Sequence, residues 1–330
     1  LPANAVAFNT HTHRTPHTHT THGALSLSLF SFLDLAIEIS MATTTTLVLN
    51  GQTLTIEDLV HASRHPTTTN IHLSPKALQR MDANRKFALR VRDRNDIVYG
   101  LSVGVGIRKK TQIDMNHADR ILELNRRIMQ DTSTGQGPAE PDDVTRATAI
   151  VLLNTLAAGR TNVRPSVALH FAKRLNNGQT LLPLPMYGST GIGDVVPLAH
   201  LASDLLGQMP VACGEALPLI GQSSLITSSA CLAFHDCKIL LNEMVVLAGL
   251  DIEAYAANPS PYHEMVATVR PYPGYIQASA MIRDVLKGSA LVHPKTKQRH
   301  LQAPLTYRGA AAVLGNAMDV FDYVETQLLI

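Results

Sequence analysis

Tryptophan is absent from this 330-residue sequence, and phenylalanine and tyrosine together supply only 5% of it. Charged residues are also sparse, at 16%, whereas 45% of the residues are hydrophobic. A chain of this length and apolar content can bury a sizeable core. Because aromatic rings are so few, alanine, leucine, valine and isoleucine have to form that core, which favours packed helices. We therefore expect a mainly α fold.

The low cysteine content excludes two kinds of cross-linked protein. Only Cys213, Cys231 and Cys237 are present, and their spacing fits neither a disulfide framework nor a zinc site. Cys231 and Cys237 are six residues apart on an expected helix, so they should face different ways. The histidines between residues 235 and 300 also lack metal-ligand spacing such as His-Glu-x-x-His. We expect a reduced, cytoplasmic protein without a metal site.

Neither the charge balance nor the apolar runs indicate a nucleic-acid or membrane partner. The formal net charge of +2 is too small to favour anionic partners. An apolar run at residues 24–39 carries Asp34 and Glu38, is too short to span a bilayer and lacks the basic n-region of a signal peptide. We expect no nucleic-acid partner and no membrane partner.

The first 40 residues differ in composition from the rest. The chain begins at Leu1, and five histidines are interleaved largely with threonine between residues 11 and 22. This pattern favours a disordered leader, or translated sequence upstream of a start at Met41. At the other end, residues 320–330 stop inside an apolar helical run without a cap, which predicts a C-terminal truncation. We divide the chain into a leader (1–40), an N-terminal active-site-loop domain (41–200) and a central helical bundle domain (201–330).

A glycine-rich stretch at residues 188–193 is the strongest local signal. Three of its six residues are glycine, which adopts backbone geometry that other residues take only at a cost. Asp194 follows as an expected helix N-cap, with Pro197 tolerated in the first turn. Because a helix N-terminus favours negative charge, the stretch is a candidate place for a carboxylate, an oxyanion or a reactive electrophile. An ordinary glycine-rich connection is the open alternative, since the spacing fits neither a P-loop nor a dinucleotide fingerprint.

A second stretch with three glycines, residues 99–106, opens with a single tyrosine. A phenol such as Tyr99 can act as a general base if neighbouring cations or dipoles assist it. A tyrosine that only packs in a loop is the alternative interpretation.

The remaining pattern predicts a small mixed segment followed by long helices. Residues 45–55 resemble a hairpin that turns at Asn50-Gly51, the strongest two-residue hairpin signal. Thr55 is the expected cap of a short helix, and Ser74-Pro75 starts the next one. Farther along, Ser224 to Tyr255 predicts a long apolar helix or helix pair. We therefore expect an N-terminal mixed segment with a small hairpin and glycine-rich loops, and then a long-helix bundle.

Six segments, taken together and in order, resemble the histidine and phenylalanine ammonia-lyase family. They are residues 99–106, 159–164, 182–185, 188–200, 270–274 and 302–308. The resemblance implies a helical bundle of the fumarase/aspartase-like type and a homotetramer whose active sites are shared between subunits. Family members are considerably longer, so it also implies that this chain is the N-terminal part of one.

The resemblance further implies roles for individual residues. The family eliminates ammonia from an aromatic amino acid across Cα–Cβ, with a methylidene-imidazolone electrophile formed from an internal Ala-Ser-Gly. Tyr99 maps to its base, and Arg308 maps to the arginine that pairs bidentately with the substrate carboxylate. Gln302 maps to a nearby glutamine, and Gln130 loosely to a substrate-binding histidine of the histidine branch. The implied partner is a small-molecule amino acid or carboxylate.

The glycine stretch departs from the family where the electrophile forms. The family has Gly-Ser-x-Gly-Ala-Ser-Gly-Asp, whereas this chain has Gly-Ser-Thr-Gly-Ile-Gly-Asp, one residue shorter, with Gly191, Ile192 and Gly193 at the triad. Because Ile192 has no oxygen to lose, we expect the prosthetic group to be absent. Gln222 lies where the family has the asparagine segment that contacts the electrophile, and Leu305 stands where the family usually has tyrosine.

Three functions remain open at this stage. The first is an enzyme of this family that works without the electrophile, with very slow or absent deamination of phenylalanine and histidine. The second is a conventional ammonia-lyase whose electrophile forms from a shifted triad, Ser189-Thr190-Gly191. The third is a catalytically inactive scaffold or binding protein that keeps only the fold.

Overall fold

The computed structural model describes residues 44–328, apart from Asn95, Met115, Gln179, Pro294 and Gln298. The predicted leader, residues 1–40, and the predicted start at Met41 lie outside the described residues. In the described part, no helix combines the length and the apolar character needed to cross a membrane.

The N-terminal segment is a parallel strand pair with a helix between the strands. Strand β1 spans Thr45–Leu49, helix α1 spans Ile56–Arg64 and strand β2 spans Thr69–Leu73. The two strands pair in parallel over all five residues of each. The predicted hairpin over residues 45–55 is therefore wrong.

The Asn50-Gly51 signal does produce a turn, but the turn leads into α1 and not into a returning strand. Gly51 takes a φ of +76°, and its N–H donates to Asn154 Oδ1 at 2.9 Å. Asn50 Oδ1 accepts the N–H groups of Gln52 and Thr53 at 2.8 and 3.0 Å. These bonds hold the turn locally and against Asn154, so residues 52–54 do not return as a strand beside β1.

The next helices begin where the sequence predicts. The hydroxyls of Thr55 and Ser74 accept the N–H groups of Asp58 and Ala77, so both predicted caps are confirmed. The elements that follow are α2 (Pro75–Asp93), a 3₁₀ turn (Gly106–Arg108), α3 (Ala118–Thr132), β3 (Gln136–Ala139), α4 (Asp142–Ala157), α5 (Pro165–Asn176) and β4 (Pro185–Tyr187). Strands β3 and β4 pair antiparallel.

The second half is organised around one long helix. After α6 (Val195–Leu206) and the short α7 (Ala216–Ile220), helix α8 (Ser224–Tyr255) runs for 32 residues. Its length is about 48 Å at 1.5 Å per residue, and it is a single helix, one of the two predicted forms. The later elements are a 3₁₀ turn (Ser260–Tyr262), α9 (Glu264–Val269), α10 (Pro273–Val285), a 3₁₀ turn (Ala290–Val292) and α11 (Leu305–Leu328).

Two hydrophobic clusters share helix α8. The first cluster contains apolar side chains from β1 to Phe234, with α4 at its centre, where every residue from 145 to 154 is buried. The second cluster contains apolar side chains of α8 from Leu241 onward, together with side chains of α10 and α11. Within α8, Cys231 is buried and Cys237 is exposed, as predicted. The mainly α fold with a long-helix bundle is confirmed, whereas a domain boundary at residue 200 stays a prediction.

Candidate functional site

Tyr99 begins a tight loop that rests on α7. Its hydroxyl oxygen accepts a hydrogen bond from the Gly106 N–H at 2.8 Å, and 49% of the residue is exposed. Gly100 takes a φ of +73°, and a Cβ at this position would lie 2.7 Å from Leu217 Cδ2. The loop therefore holds the phenol oxygen in place while its backbone packs against a helix.

A mostly apolar cavity of about 400 Å³ lies beside Tyr99. Its walls come from α2, the Tyr99 loop, the turn at residues 160–162 and α7. Phe87 and Leu217 contribute apolar surface, and Arg160 is the cation among its described lining residues. Sequence analysis did not find this cavity, because its walls come from separate segments that no local pattern joins.

The glycine loop, residues 188–193, has an open tip and a packed base. At the tip, an added Cβ on Gly191 would have no atom within 4 Å, and Ile192 is 93% exposed. At the base, a Cβ on Gly188 would lie 2.7 Å from Val196 Cγ1. The positions that the resemblance assigns to the triad, residues 191–193, are thus at the free tip, while the ends of the loop are fixed.

Asp194 holds the base of this loop from inside the protein. It is fully buried, and its Oδ1 accepts the Ser189 hydroxyl at 2.7 Å. Its Oδ2 accepts the N–H groups of Leu225 and Ile226, at 2.7 and 3.0 Å, in the first turn of α8. Asp194 does stand at the N-cap position of α6, as predicted, but its side chain makes no capping bond to α6. The carboxylate instead matches the positive end of α8.

Gln222 joins the glycine loop to α7. Its carbonyl oxygen accepts the Asp194 N–H at 2.7 Å, and its side-chain amide donates to the Pro218 carbonyl at 2.6 Å. The Gln222 Oε1 atom is buried without a hydrogen-bond partner in the described part of the chain. Because Leu217 of α7 also packs on the Tyr99 loop, this short helix connects both glycine-rich loops.

Gln130 lies in a different place, on a groove between α3 and α6. Arg126 donates a hydrogen bond to its side chain. The groove has a volume of about 510 Å³ and is closed by residues 207–211. Nearby, His200 Nε2 accepts the Gly135 N–H at 3.1 Å, and burial lowers the pKa of His200.

Gln302 and Arg308 lie around the start of α11, beside the second cluster, and both are exposed. The Tyr262 hydroxyl, which donates to the Tyr307 carbonyl, holds the backbone next to Arg308. Phe321, farther along α11, packs against the first cluster. From Arg308 to Phe321 the helix rises about 20 Å. Arg308 therefore lies at the end of α11 that packs in the second cluster, about 20 Å along the helix from a residue that also contacts the first cluster.

The described residues show no group of three or more histidine, cysteine, aspartate or glutamate side chains that is arranged to hold a metal ion.

Comparisons with known proteins agree with this architecture. A family model described as "Aromatic amino acid lyase" matches residues 54–216 and 209–330. The histidine ammonia-lyase of Streptococcus sanguinis (strain SK36) is 28% identical over 305 residues, which cover 85% of this chain and 58% of that protein. The histidine ammonia-lyase of Streptococcus pyogenes serotype M1 is 27% identical over 304 residues, with the same coverage.

Solved structures give the same fold. The ergothioneine degrading enzyme Ergothionase from Treponema denticola superposes with a TM-score of 0.78 at 26% identity, over 86% of this chain and 61% of that one. The histidine ammonia-lyase from Trypanosoma cruzi has a TM-score of 0.75 at 21% identity over 86% of this chain and 56% of that one, which supports the fold alone. The chain spans less than two thirds of each relative's length. Because the family model covers most of the sequence and the fold agrees, the chain belongs to the aromatic amino acid lyase family.

Proposed function

We propose that this chain acts on an aromatic amino acid or a related carboxylate by elimination or addition at Cα–Cβ, without a methylidene-imidazolone electrophile. The observation that carries the proposal is the position of Tyr99. The Gly106 N–H holds its oxygen at 2.8 Å, and the residue lines a cavity of about 400 Å³. A cavity of this size suits one small aromatic acid. Membership of the family supports the reaction class.

The residues of the glycine loop do not fit the prosthetic group. A methylidene needs a side-chain oxygen that leaves as water, and Ile192 has none. A shifted triad would need the Gly191 nitrogen to attack the Ser189 carbonyl. The Gly191 N–H instead donates to Ser189 Oγ at 3.2 Å, and the Ser189 hydroxyl is bound by Asp194. These contacts favour an uncyclised loop over one cyclised at Ser189-Thr190-Gly191. We therefore assign no step to the electrophile.

Tyr99 is proposed as the general base. In the elimination direction its oxygen takes a proton from Cβ, the C–H electrons form the double bond, and the leaving group departs from Cα with its bonding electrons. A positioned base contributes about 10²–10⁴-fold to such a step. An ammonium group leaves poorly without an electrophile, so we expect slow or absent deamination of phenylalanine and histidine. Substrates with a better leaving group, or the addition direction, are favoured.

Arg308 is proposed to hold the substrate carboxylate of a neighbouring subunit. It lies beside the second cluster, and we propose that a second copy brings it to Tyr99. Helix α8 offers a surface for this association, because several large apolar side chains on it are each 46–57% exposed. They are Ile239, Leu240, Met244, Leu247 and Leu250. We propose a homotetramer, and expect Leu247→Glu to lower the molar mass in light scattering, whereas Glu243→Gln leaves it unchanged.

Proton exchange tests the base independently of the leaving group. The purified chain is incubated in D2O with phenylalanine, tyrosine, histidine, ergothioneine and the corresponding unsaturated acids, and deuterium incorporation at Cβ is followed by NMR. We expect exchange or turnover with at least one compound, and about a 100-fold loss in Tyr99→Phe. Tyr187→Phe is the matched control, because Tyr187 is also exposed but lies outside the cavity.

Intact mass separates the alternatives. A mass two waters below the calculated value would restore the conventional ammonia-lyase with a shifted triad. An unmodified mass with exchange that depends on Tyr99 supports the proposal. An unmodified mass together with a folded, assembled protein that catalyses no exchange would support the third alternative, an inactive scaffold or binding protein.

A further inference from the structure

A small pocket lies away from both glycine-rich loops, where the first turns of α4 meet the ends of α1 and α5. Its volume is about 160 Å³. The side chains that matter for its chemistry are Ser63, Asp142, Thr145, Arg146 and Thr180. A pocket this small excludes a nucleotide or an aromatic acid and admits a few heavy atoms.

Arg146 is a buried cation in the wall of this pocket. The residue is 8% exposed, its Nε donates to the Ala62 carbonyl at 2.9 Å, and its Nη1 donates to the Leu175 carbonyl at 3.0 Å. These carbonyls belong to the last turns of α1 and α5, where the helix dipole is negative. A structural role therefore accounts for two of the three guanidinium nitrogens.

The third guanidinium nitrogen, Nη2, differs from the other two. Arg146 Nη2 is buried and has no hydrogen-bond partner among the described residues. The same holds for the hydroxyl oxygen of Thr145, a residue only 3% exposed. Burial lowers the pKa of Arg146. Buried donors without partners are costly, and a buried cation is normally paired.

We propose that this pocket binds a small oxyanion, the size of phosphate or of a short carboxylate, through Arg146 Nη2 and the Thr145 hydroxyl. Both groups can donate hydrogen bonds, and bonds between a guanidinium and an oxyanion are among the stronger ones in proteins. The N-terminal end of α4 adds partial positive charge. Asp142 also lines the pocket, so the fitting ligand is a monoanion, whose hydroxyl, in the case of phosphate, can donate to that carboxylate.

The pocket is connected to the glycine loop along the chain. Thr180 and Leu181 line the pocket, and the chain then runs through β4 into residue 188. The oxyanion would join α1, α4 and the segment after α5. A ligand that binds the folded state alone stabilises it by mass action, so occupancy should raise the unfolding temperature.

The test is a titration of the full 330-residue chain with inorganic phosphate and, separately, with acetate. Both titrations use calorimetry and thermal unfolding, with sodium chloride keeping the ionic strength constant. We expect one saturable site and a rise in unfolding temperature with at least one of the two anions. Thr145→Val should weaken that binding about tenfold, since it removes one hydrogen bond to a charged ligand.

Thr155→Val is the matched control. Thr155 lies on the same helix, but its hydroxyl donates to the Val151 carbonyl at 2.9 Å and it does not line the pocket. This variant should bind as the original chain does. In chloride alone, Thr145→Val should unfold at the same or a higher temperature, because it removes a buried hydroxyl without a partner. That result would separate lost binding from lost folding.

The outcomes decide both the proposal and the ligand. Saturable binding of phosphate alone, or of acetate alone, that is weakened in Thr145→Val supports the site and identifies the tetrahedral or the planar oxyanion. The proposal is overturned if neither anion saturates a site, or if Thr145→Val and Thr155→Val bind equally well.

Discussion

The two glycine-rich loops are built from similar sequences but are held in different ways. Both contain three glycines, and Gly100 and Gly191 both take a left-handed φ, of +73° and +82°. Gly100 is packed against Leu217, whereas Gly191 has open space around it. In the first loop the functional candidate, Tyr99, is next to the packed position. In the second, the triad position Ile192 is exposed and apart from its anchors.

This difference indicates which part of the site can vary without unfolding the protein. The anchors of the glycine loop are Ser189 and Asp194, and the hydrogen bonds that join them to each other and to α8 do not involve Ile192. A one-residue deletion at the tip therefore leaves the base intact. The Tyr99 loop has no such freedom, because Gly100 lies against Leu217 and the Tyr99 hydroxyl accepts the Gly106 N–H.

The largest expected effect comes from breaking the base of the glycine loop. Asp194→Ala removes three hydrogen bonds to a buried carboxylate and leaves two N–H groups of α8 unsatisfied. We expect the free energy of unfolding to fall by about 3 kcal/mol, from values typical of charged hydrogen bonds and lost helix caps. Urea unfolding measures this change. Asp194→Asn keeps an acceptor for the helix and should lose less; an equal loss would show that the cap does not matter.

Adding one methyl group to each loop should separate their packing. Gly100→Ala combines a left-handed backbone with contact on Leu217 and should cost about 2 kcal/mol. Gly191→Ala carries the backbone cost alone, about 1 kcal/mol. Thermal and urea unfolding of the pair give the comparison directly. Equal losses would contradict the view that Gly100 is packed and that Gly191 is not.

Restoring the family's triad should change chemistry with little change in stability. Replacing Ile192 by Ala-Ser gives Ala-Ser-Gly in register with Asp194. Because the tip is exposed, we expect the free energy of unfolding to change by less than about 0.5 kcal/mol. Intact mass should fall by two waters. An unmodified mass would mean that residues beyond the tip, for example Gln222, also prevent the reaction. Ile192→Ala is the control, because it has no hydroxyl to lose and cannot form the methylidene.

The smallest effect concerns acid pH, through His200 on the helix that follows the glycine loop. Burial lowers its pKa in the folded protein, and its neutral Nε2 accepts the Gly135 N–H. Because the pKa of His200 is lower in the folded protein than its ordinary value of 6.5, the neutral ring contributes stability that is fully present above pH 6.5. That stability is lost as the pH falls from 6.5 through the pKa of the folded protein. We expect the urea midpoint to decrease below pH 6.5, and to decrease less in His200→Gln. An identical pH dependence in both proteins would contradict this assignment.

Local features of the fold could be predicted from the sequence, and long-range pairing could not. The caps at Thr55 and Ser74 depend on residues three positions away, so their patterns were sufficient. The hairpin prediction failed because strand β2 is held by Asn176, whose side chain bonds both the N–H and the carbonyl of Ile71 at 2.8 Å. No pattern near Asn50-Gly51 contains that information.

The candidate site divides in the same way. The resemblance located both glycine-rich loops, and its assignments for Tyr99, Arg308 and Gln130 stay predictions. The connection between Asp194 and α8 spans more than thirty residues and could not be inferred from capping rules. The Arg146 Nη2 atom, which has no hydrogen-bond partner among the described residues, was equally hidden, since its environment comes from the ends of two other helices.

The carboxylate of Asp194 also links the glycine loop to the start of the longest described helix, α8. Any opening of the glycine loop that withdraws Asp194 uncaps a helix about 48 Å long. The amide hydrogens of Leu225 and Ile226 would then exchange with solvent only when the loop opens, and their exchange rates would report its dynamics. Fraying of α8 that starts at this end would run toward the second cluster. A ligand that closes the loop would therefore also slow hydrogen exchange along the helix.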